Sequence, residues 1–399
     1  MMSLVLAGLA AFSLACTQQV PDSLVVSDDA ELRRVASEIL PEVAARSGLE
    51  LREPVRIARR SRAELVSYLE AQLDKELPPE EAAAVTESYR LLGLLPEGLD
   101  LRGLLLSVYT EQVAGFYDPD STALFVMDDQ PAEALRTVLI HELVHAVQDQ
   151  AANLDSLTAR ERGNDRQTAA LAAIEGHATL VMFEYEMSQR TGRSVDLGEI
   201  PNFGALIRGA LQGMREQYPA LADAPRVVQE TILFPYLEGT AFVQRLWQDA
   251  GGRPSPLAEL LPQSTEQLTS TAVSAEERDA PTEIRVTAAR GQRYANTLGA
   301  METTVLLTEL AGSDAADAAR GWDGDRFALV DIPTGSALAW WSVWDDAAAR
   351  DRFIATLTPG LGRLPLPARL MPRTLDGRPA ALLEVGEPGE VTAVLETAR

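Results

Sequence analysis

Cysteine, lysine and histidine are scarce in this chain of 399 residues. It has one cysteine, Cys16, one lysine, Lys75, and three histidines. A single cysteine excludes a framework of disulfide bonds within the chain. Acidic residues outnumber basic ones and the formal net charge is −24, so the phosphates of a nucleic acid would be repelled. We therefore expect no nucleic-acid partner.

The chain also lacks an apolar run long enough to span a bilayer near its start. The stretch 4–14 instead has the length of the apolar part of a signal peptide. It ends in Ser13-Leu14-Ala15-Cys16, which resembles the lipobox of bacterial lipoproteins. The resemblance implies a signal peptide over 1–16, export, and anchoring to the membrane of the cell envelope through a lipid on Cys16. An ordinary secretory signal and a buried N-terminal helix are the alternatives.

Two of the three histidines lie in one motif. His141, Glu142 and His145 form an H-E-x-x-H sequence inside 132–150, a stretch that no Gly or Pro interrupts. In a helix, the two imidazoles project from the same face one turn apart, so both can bind one Zn²⁺. Glu142 can then reach a water molecule on the metal as general base. The alternative is a helix with two histidines satisfied inside the core.

A third zinc ligand is expected from the helical pattern of 168–187. The helical neighbours of Glu175 are small and mostly apolar, and a carboxylate on such a face is costly to bury unless it is paired or binds a metal. Together with Gly176, they would let the motif helix approach closely. We expect Glu175 to complete the site. His177 and Glu238 are the alternatives, and His177 is otherwise a core histidine or one that supports a ligand.

Two further residues are candidates for roles beside the metal. Pro235 interrupts the helical pattern of 226–250 and could place Tyr236 at the start of a helix that faces the site. Its phenol would there donate a hydrogen bond to a developing oxyanion; a tyrosine of the core is the alternative. Asp149, one turn after His145, could orient a ligand or be a solvated acid at the end of the helix.

The remaining pattern predicts an α+β fold that is mainly α-helical. An N-terminal helical region is expected over 17–100, beginning with a polar tether at 17–28. Two β-prone segments around the turn 118–121 predict a hairpin that either covers the motif helix or pairs with an extended substrate. The stretch 274–282 is expected to be a surface insertion or a linker. The predicted helices are 29–46, 62–73, 79–92, 101–113, 132–150, 168–187, 203–217, 226–250, 299–310 and 346–357.

The C-terminal part has a different pattern. Strands are predicted at 327–331, 337–344 and 380–385, and with the helices between them they indicate a small α+β accessory unit over 290–399. Trp340, Trp341 and Trp344 are interpreted as core residues of this unit rather than as a ligand site.

Taken together, these segments resemble the zincin metallopeptidases, and among them the gluzincin branch, which binds zinc through two histidines and a glutamate. The similarity extends over about 101–267 and is greatest with exported bacterial proteins of this kind. It is carried by Glu111 to Asp118, His141 to Gln150, Glu175-Gly176, Tyr236 to Phe242 and Ser264 to Gln267.

The resemblance implies a zincin-like catalytic domain over 101–272, with His141, His145 and Glu175 as zinc ligands and Glu142 as the catalytic base. It implies zinc-dependent hydrolysis of peptide bonds, and hence a peptide or protein substrate. A non-catalytic zinc-binding scaffold of the envelope and a zinc hydrolase acting on another kind of bond are the alternatives. The sequence does not predict an oligomeric state.

Overall fold

The computed structural model describes residues 24–200, 218–272 and 274–396. The predicted signal peptide with Cys16, the predicted helix 203–217 and most of the predicted tether lie outside the described residues. Within them the fold is mixed α+β with more helix than strand, as the sequence predicts. In the same part of the chain, no helix is both long enough and apolar enough to cross a membrane.

Every predicted helix within the described residues is present in the predicted order, whereas six of the eleven described strands were not predicted. The helices are α1 (Ala30–Ser47), α2 (Arg62–Glu76), α3 (Pro79–Leu91), α4 (Leu101–Gln112), α5 (Ala132–Ala151), α6 (Leu154–Leu157), α7 (Asn164–Thr191), α8 (Pro219–Ala222), α9 (Arg226–Ala250), α10 (Thr265–Thr269), α11 (Gly299–Ala311) and α12 (Ala347–Leu357). The strands are β1 (Val25–Val26), β2 (Val55–Arg60), β3 (Gly115–Asp118), β4 (Ala123–Met127), β5 (Ile284–Ala288), β6 (Gln292–Asn296), β7 (Trp322–Ile332), β8 (Gly335–Trp344), β9 (Ala368–Leu375), β10 (Arg378–Val385) and β11 (Val391–Leu395).

Local signals explain several helix ends. The Ser61 side chain accepts a hydrogen bond from the Glu64 N–H, and the Glu64 carboxylate accepts one from the Ser61 N–H, which is a capping box at the start of α2. The Asp100 side chain caps α4 by accepting from the Gly103 N–H. Gly48 ends α1 in the left-handed conformation, at φ 69°.

A four-stranded sheet lies beside α5, in the order β1-β2-β4-β3. β1 and β4 are both parallel to β2, whereas β3 is antiparallel to β4 and forms the predicted hairpin with it. The N-terminal region, which the sequence predicts to be helical, therefore also contains the strands β1 and β2. Val55 and Ile57 are buried and Arg56 is exposed, which is the alternation of a strand. The sequence did not predict this strand because the alternation is short and because β4, with which β2 pairs, is distant in sequence. The tether also ends earlier than predicted, because Val25 is buried in β1.

Two glycines set the distance between α7 and α9. A Cβ atom on Gly176 would lie 2.0 Å from the carbonyl carbon of Gly239, and one on Gly239 would lie 1.9 Å from the carbonyl oxygen of Ala172. Only glycine permits such a close helix crossing. Gly176 thus faces α9, and the prediction that it receives the motif helix was wrong. Pro235 lies inside the continuous helix α9, so Tyr236 is in a helix interior and not at a helix start.

The C-terminal sheet is antiparallel, in the order β6-β7-β8-β10-β9, and a two-stranded sheet joins β11 to β5. Trp340 and Trp344 are buried against Phe353 of α12, with ring centroids 5.7 and 4.5 Å apart. This is consistent with their interpretation as core residues. Trp341 is partly exposed.

The buried apolar side chains of α5, α7 and α9 form one continuous core with those of this C-terminal sheet. At the junction the buried carboxylate of Asp165, in the first turn of α7, accepts hydrogen bonds from the Thr265 N–H and hydroxyl. The Thr265 hydroxyl oxygen accepts in turn from the Met301 N–H. Arg278 is buried although it lies in the predicted surface insertion or linker, and its guanidinium sits 5.4 Å from the centre of the Phe242 ring. The C-terminal region therefore packs directly on the helix that carries Glu175.

Candidate metal site

Three predicted ligands converge where α5 meets α7. The Nε2 atoms of His141 and His145 are 3.1 Å apart. The Oε2 atom of Glu175 is 3.1 Å from the first of them and 3.5 Å from the second. Helical spacing on α5 brings the two imidazoles together, and the packing of α7 against α5 adds the carboxylate.

These distances fit a zinc ion. Zinc prefers four ligands in a tetrahedron at about 2.0–2.1 Å, which separates ligand atoms by about 3.3 Å. The three observed separations, 3.1 to 3.5 Å, bracket that value. Two imidazole nitrogens and one carboxylate oxygen are also a donor set that zinc takes in catalytic sites, where one position stays open. His141, His145 and Glu175 would hold the ion.

A second group of carboxylates is a poorer match. Among the described residues, Asp279, Asp323 and Asp345 can also bring three ligand atoms within 4.8 Å of one another. This group offers oxygen atoms only, whereas zinc favours nitrogen and sulfur. Asp323 is in addition occupied by hydrogen bonds from Arg378 and Thr282. The histidine-containing group is therefore the candidate zinc site.

The candidate site attracts positive charge. Burial raises the pKa of the Glu175 carboxyl, but the imidazoles of His145 and His141 outweigh it and hold this pKa far below its usual range. Burial lowers the pKa of His145, but the Glu175 carboxylate outweighs it and raises this pKa to about 9. The Glu175 carboxylate and the His145 imidazole thus stabilise each other's charged forms, and a bound metal would take the place of the imidazole proton beside the carboxylate.

Glu142 lies next to the three ligand atoms without being one of them. Its side chain is only 9% exposed. Burial raises the pKa of its carboxyl, and the imidazoles of His145 and His141 and a hydrogen bond from the backbone N–H of Tyr117 oppose the shift. Gly115 leaves the space for this arrangement, since a Cβ atom there would meet the Val138 side chain at 2.6 Å. β3 therefore packs closely over Glu142.

Tyr236 reaches the site from α9. Its ring centroid is 6.2 Å from that of His141. The carboxylate of Glu175 and burial of the phenol raise the pKa of Tyr236 well above its ordinary value. A protonated phenol beside the ligands is a hydrogen-bond donor. The structure thus brings Tyr236 to the site, although from a helix interior.

The other candidates lie elsewhere. Glu238 borders a groove with Phe234 and Thr265 and is not in the three-residue group. Asp149 accepts hydrogen bonds from the Tyr117 hydroxyl, at 2.9 Å, and from the Leu154 N–H, at 3.0 Å. Neither bond orients a proposed metal ligand. The bond from Tyr117 instead holds the end of α5 against β3.

His177 is fully buried one layer behind the ligands. Burial lowers its pKa to about 4, which keeps the ring neutral. Its Nδ1 atom is 3.0 Å from Nε2 of Gln148, whose Oε1 is 2.8 Å from Nδ1 of His145. Sequence reasoning missed Gln148. Its position three residues after His145 in an apolar helix was the available signal, because a buried amide requires polar partners.

Comparisons of the chain with protein-family models, with curated proteins and with solved structures return no match.

Proposed function

We propose that this chain is a zinc-dependent peptidase with a zincin-like core. The observation that carries the proposal is the convergence of His141, His145 and Glu175 on one point, with a second acidic side chain, Glu142, beside them. These three ligands would leave one position of a bound zinc for water or substrate, as in catalytic zinc sites.

The residues around the open position have separate tasks. Zinc, when bound, supplies a Lewis acid that polarises the scissile carbonyl and lowers the pKa of water. Glu142 takes the proton of the attacking water and passes it to the leaving amine. The hydrogen bond from the Tyr117 N–H favours the charged form of the Glu142 carboxyl, which is the form that takes the proton. The Tyr236 phenol donates a hydrogen bond to the oxyanion that develops on the carbonyl oxygen.

The sheet next to Glu142 supports a peptide as the substrate. Within the part of the chain that the structure describes, β3 is an outer strand and pairs with β4 alone. The Ala114 carbonyl accepts a hydrogen bond from the Met127 N–H, so alternation along an antiparallel pair turns the backbone groups of Gly115 and Tyr117 away from β4. Glu142 takes the Tyr117 N–H, which leaves the N–H and carbonyl of Gly115 and the carbonyl of Tyr117 for a substrate. An extended peptide can add to this edge through main-chain hydrogen bonds. That interaction favours a peptide over other hydrolysable substrates.

The burial of Glu142 argues against a zinc-binding scaffold. A carboxylate in this position costs free energy, because burial disfavours its charged form. A purely structural zinc site gains nothing from it. A peptidase needs a base at this position, so the cost has a chemical purpose.

The proposed location is the cell envelope, with a lipid on Cys16 as the membrane anchor. This part of the proposal rests on the resemblance of 13–16 to a lipobox and on the apolar stretch before it.

The ligand set can be tested by measuring bound zinc in two matched variants. Glu175→Gln removes the proposed third ligand, whereas Glu238→Gln makes the same change on the neighbouring helix. We expect one zinc per chain in the wild type and in Glu238→Gln, and loss of zinc in Glu175→Gln. Cleavage of a peptide library should follow the zinc content. Equal zinc in all three proteins would refute Glu175 as a ligand, and zinc without any cleavage would refute the peptidase.

A further inference from the structure

A chain of hydrogen bonds leads away from His145 into the protein interior. Nδ1 of His145 is 2.8 Å from Oε1 of Gln148. Nε2 of Gln148 is 3.0 Å from the carbonyl oxygen of Ile174 and 3.0 Å from Nδ1 of His177. Nε2 of His177 is 3.0 Å from the carbonyl oxygen of Ser47. Gln148, His177 and Ser47 have no exposed surface, so water does not compete for these bonds.

The direction of every bond in this chain is fixed by its two backbone ends. The Ser47 carbonyl can only accept, so Nε2 of His177 carries a hydrogen and donates it. One terminal atom of Gln148 lies 3.0 Å from both Nδ1 of His177 and the Ile174 carbonyl oxygen, and because that carbonyl can only accept, the atom is the NH₂ nitrogen and donates to Nδ1. The Ile174 carbonyl accepts a hydrogen bond from the same NH₂ group. The nitrogen and the oxygen of the Gln148 amide are therefore distinguished by their partners.

The consequence reaches the metal site. Because the NH₂ group of Gln148 faces the two acceptors, its oxygen faces His145 and must accept. Nδ1 of His145 therefore carries a hydrogen. Its Nε2 atom, which lies 3.1 Å from the Nε2 atom of His141, is left to bind a metal through its lone pair.

We propose that Gln148 and His177 are positioning residues that hold His145 in the tautomer and ring orientation needed to bind zinc. This inference rests on the proposed function, because the metal is the reason for fixing the tautomer. Gln148 acts on His145 directly, and His177 acts through Gln148. The chain ends at Ser47, the last residue of α1, so the N-terminal helix supports the metal site.

The packing of His177 limits the rotation of its ring, and hence the hydrogen bonds that the ring can form. Its ring stands at 89° to that of Trp247 on α9, with the centroids 5.8 Å apart. The ring is thus held between α1, α5 and α9, and rotating it would separate Nε2 from the Ser47 carbonyl. Groups that orient a metal-binding histidine in this way typically contribute 10–100-fold to metal affinity.

The direct test is the protonation of histidine nitrogens observed by ¹⁵N NMR. The chain has three histidines, so few ring signals need to be assigned. In the zinc-loaded wild type we expect a hydrogen on Nδ1 of His145, and in both the zinc-loaded and the metal-free protein a hydrogen on Nε2 of His177. A hydrogen on Nδ1 of His177, or none on Nδ1 of His145 in the zinc-loaded protein, would overturn the proposal.

The second measurement is Co²⁺ affinity, followed by the visible absorption of the bound ion. Gln148→Met keeps the shape of the side chain and removes the acceptor for His145, so Co²⁺ should bind about 10–100-fold more weakly. Gln148→Glu keeps an acceptor and should bind Co²⁺ more tightly than Gln148→Met. Gln150→Met is the matched control, because Gln150 bonds to the backbone of Arg52 and Glu53 and does not contact His145.

The outcomes separate this inference from the proposed function. Equal Co²⁺ affinity in Gln148→Met and Gln150→Met would overturn the positioning role while the metal site stands. If Gln148→Met does not fold, Gln148→Glu and the wild-type NMR spectra decide the question. A wild type that binds no metal, with the hydrogen of His177 on Nε2, would refute the peptidase while supporting the chain of hydrogen bonds.

Discussion

Replacement of Gly239 by alanine tests the helix crossing on which the site depends. The added Cβ atom would lie 1.9 Å from the carbonyl oxygen of Ala172, whereas contacts of Cβ atoms under 3.0 Å essentially do not occur. The obstructing atom belongs to the backbone of α7 and cannot rotate away. α7 and α9 would have to separate by about 1 Å, and a gap of that size removes a quarter to a half of the dispersion energy at the contact.

The size of the effect follows from two opposing contributions. Alanine stabilises a helix interior by about 1 kcal/mol relative to glycine. Overpacking of a tightly packed interface costs about 1–3 kcal/mol, and more when a backbone must move. Since the clash here is with backbone, we take the upper end of this cost, about 3 kcal/mol, and after the gain of about 1 kcal/mol is subtracted we expect Gly239→Ala to lower the free energy of unfolding by about 2 kcal/mol. Zinc affinity should fall as well, because α7 carries Glu175.

Denaturant unfolding of the zinc-loaded protein is the assay, with bound zinc measured in parallel. Gly252→Ala is the control, since a Cβ atom at Gly252, just after α9, meets nothing within 4 Å. Its stability and zinc content should equal those of the wild type. If Gly239→Ala were as stable as Gly252→Ala and bound zinc equally well, the close crossing of α7 and α9 would be refuted.

Three further predictions concern the effect of pH on stability, the role of the Tyr236 phenol in catalysis and the effect of zinc on stability. Burial raises the pKa of Glu302 from 4.5 to about 8, and a pKa raised by folding means that stability is lost as pH rises through the folded value. The contribution of Glu302 to the free energy of unfolding should therefore fall between pH 4.5 and about 8, so that the wild type should lose more stability over this range than Glu302→Gln in denaturant titrations at several pH values; equal pH profiles of the two proteins would contradict the burial argument. Tyr236→Phe should lower kcat by roughly 100–1000-fold with bound zinc unchanged, as measured by peptide cleavage, and unchanged kcat would exclude Tyr236 as the oxyanion donor. Removal of zinc by a chelator should lower the unfolding midpoint, and zinc at roughly 1000 times its Kd should restore about 4 kcal/mol; a midpoint that ignores zinc would argue against a metal held by the folded state.

Helices with strong periodicity could be predicted from the sequence almost to the residue. The predicted bounds of α9, 226–250, are those observed, and α11 differs by one residue. α7 begins at Asn164, four residues before the predicted start. Its first turn is polar, and the partners that bury Asp165 come from Thr265, which is distant in sequence.

The candidate site could be predicted in part. The His141–His145 pair follows from helical spacing within one segment. Glu175 was inferred from the difficulty of burying a carboxylate among small side chains, and the structure brings it to the pair. Gln148 lies at an apolar position of its helix, which indicates a need for polar partners, but the partners themselves, Ile174 and His177, lie on another helix and could not be predicted. The orientation of Gly176 toward α9 depends in the same way on the tertiary packing.

The most direct test of the account compares the wild type with Glu142→Gln, measuring zinc per chain and peptide cleavage on the same samples. Glutamine keeps the size of the side chain but cannot take the proton of the attacking water. We expect one zinc per chain in both proteins and cleavage in the wild type alone. Equal cleavage by both proteins would contradict the role of Glu142 as the base, and absence of zinc from the wild type would contradict the metal site itself.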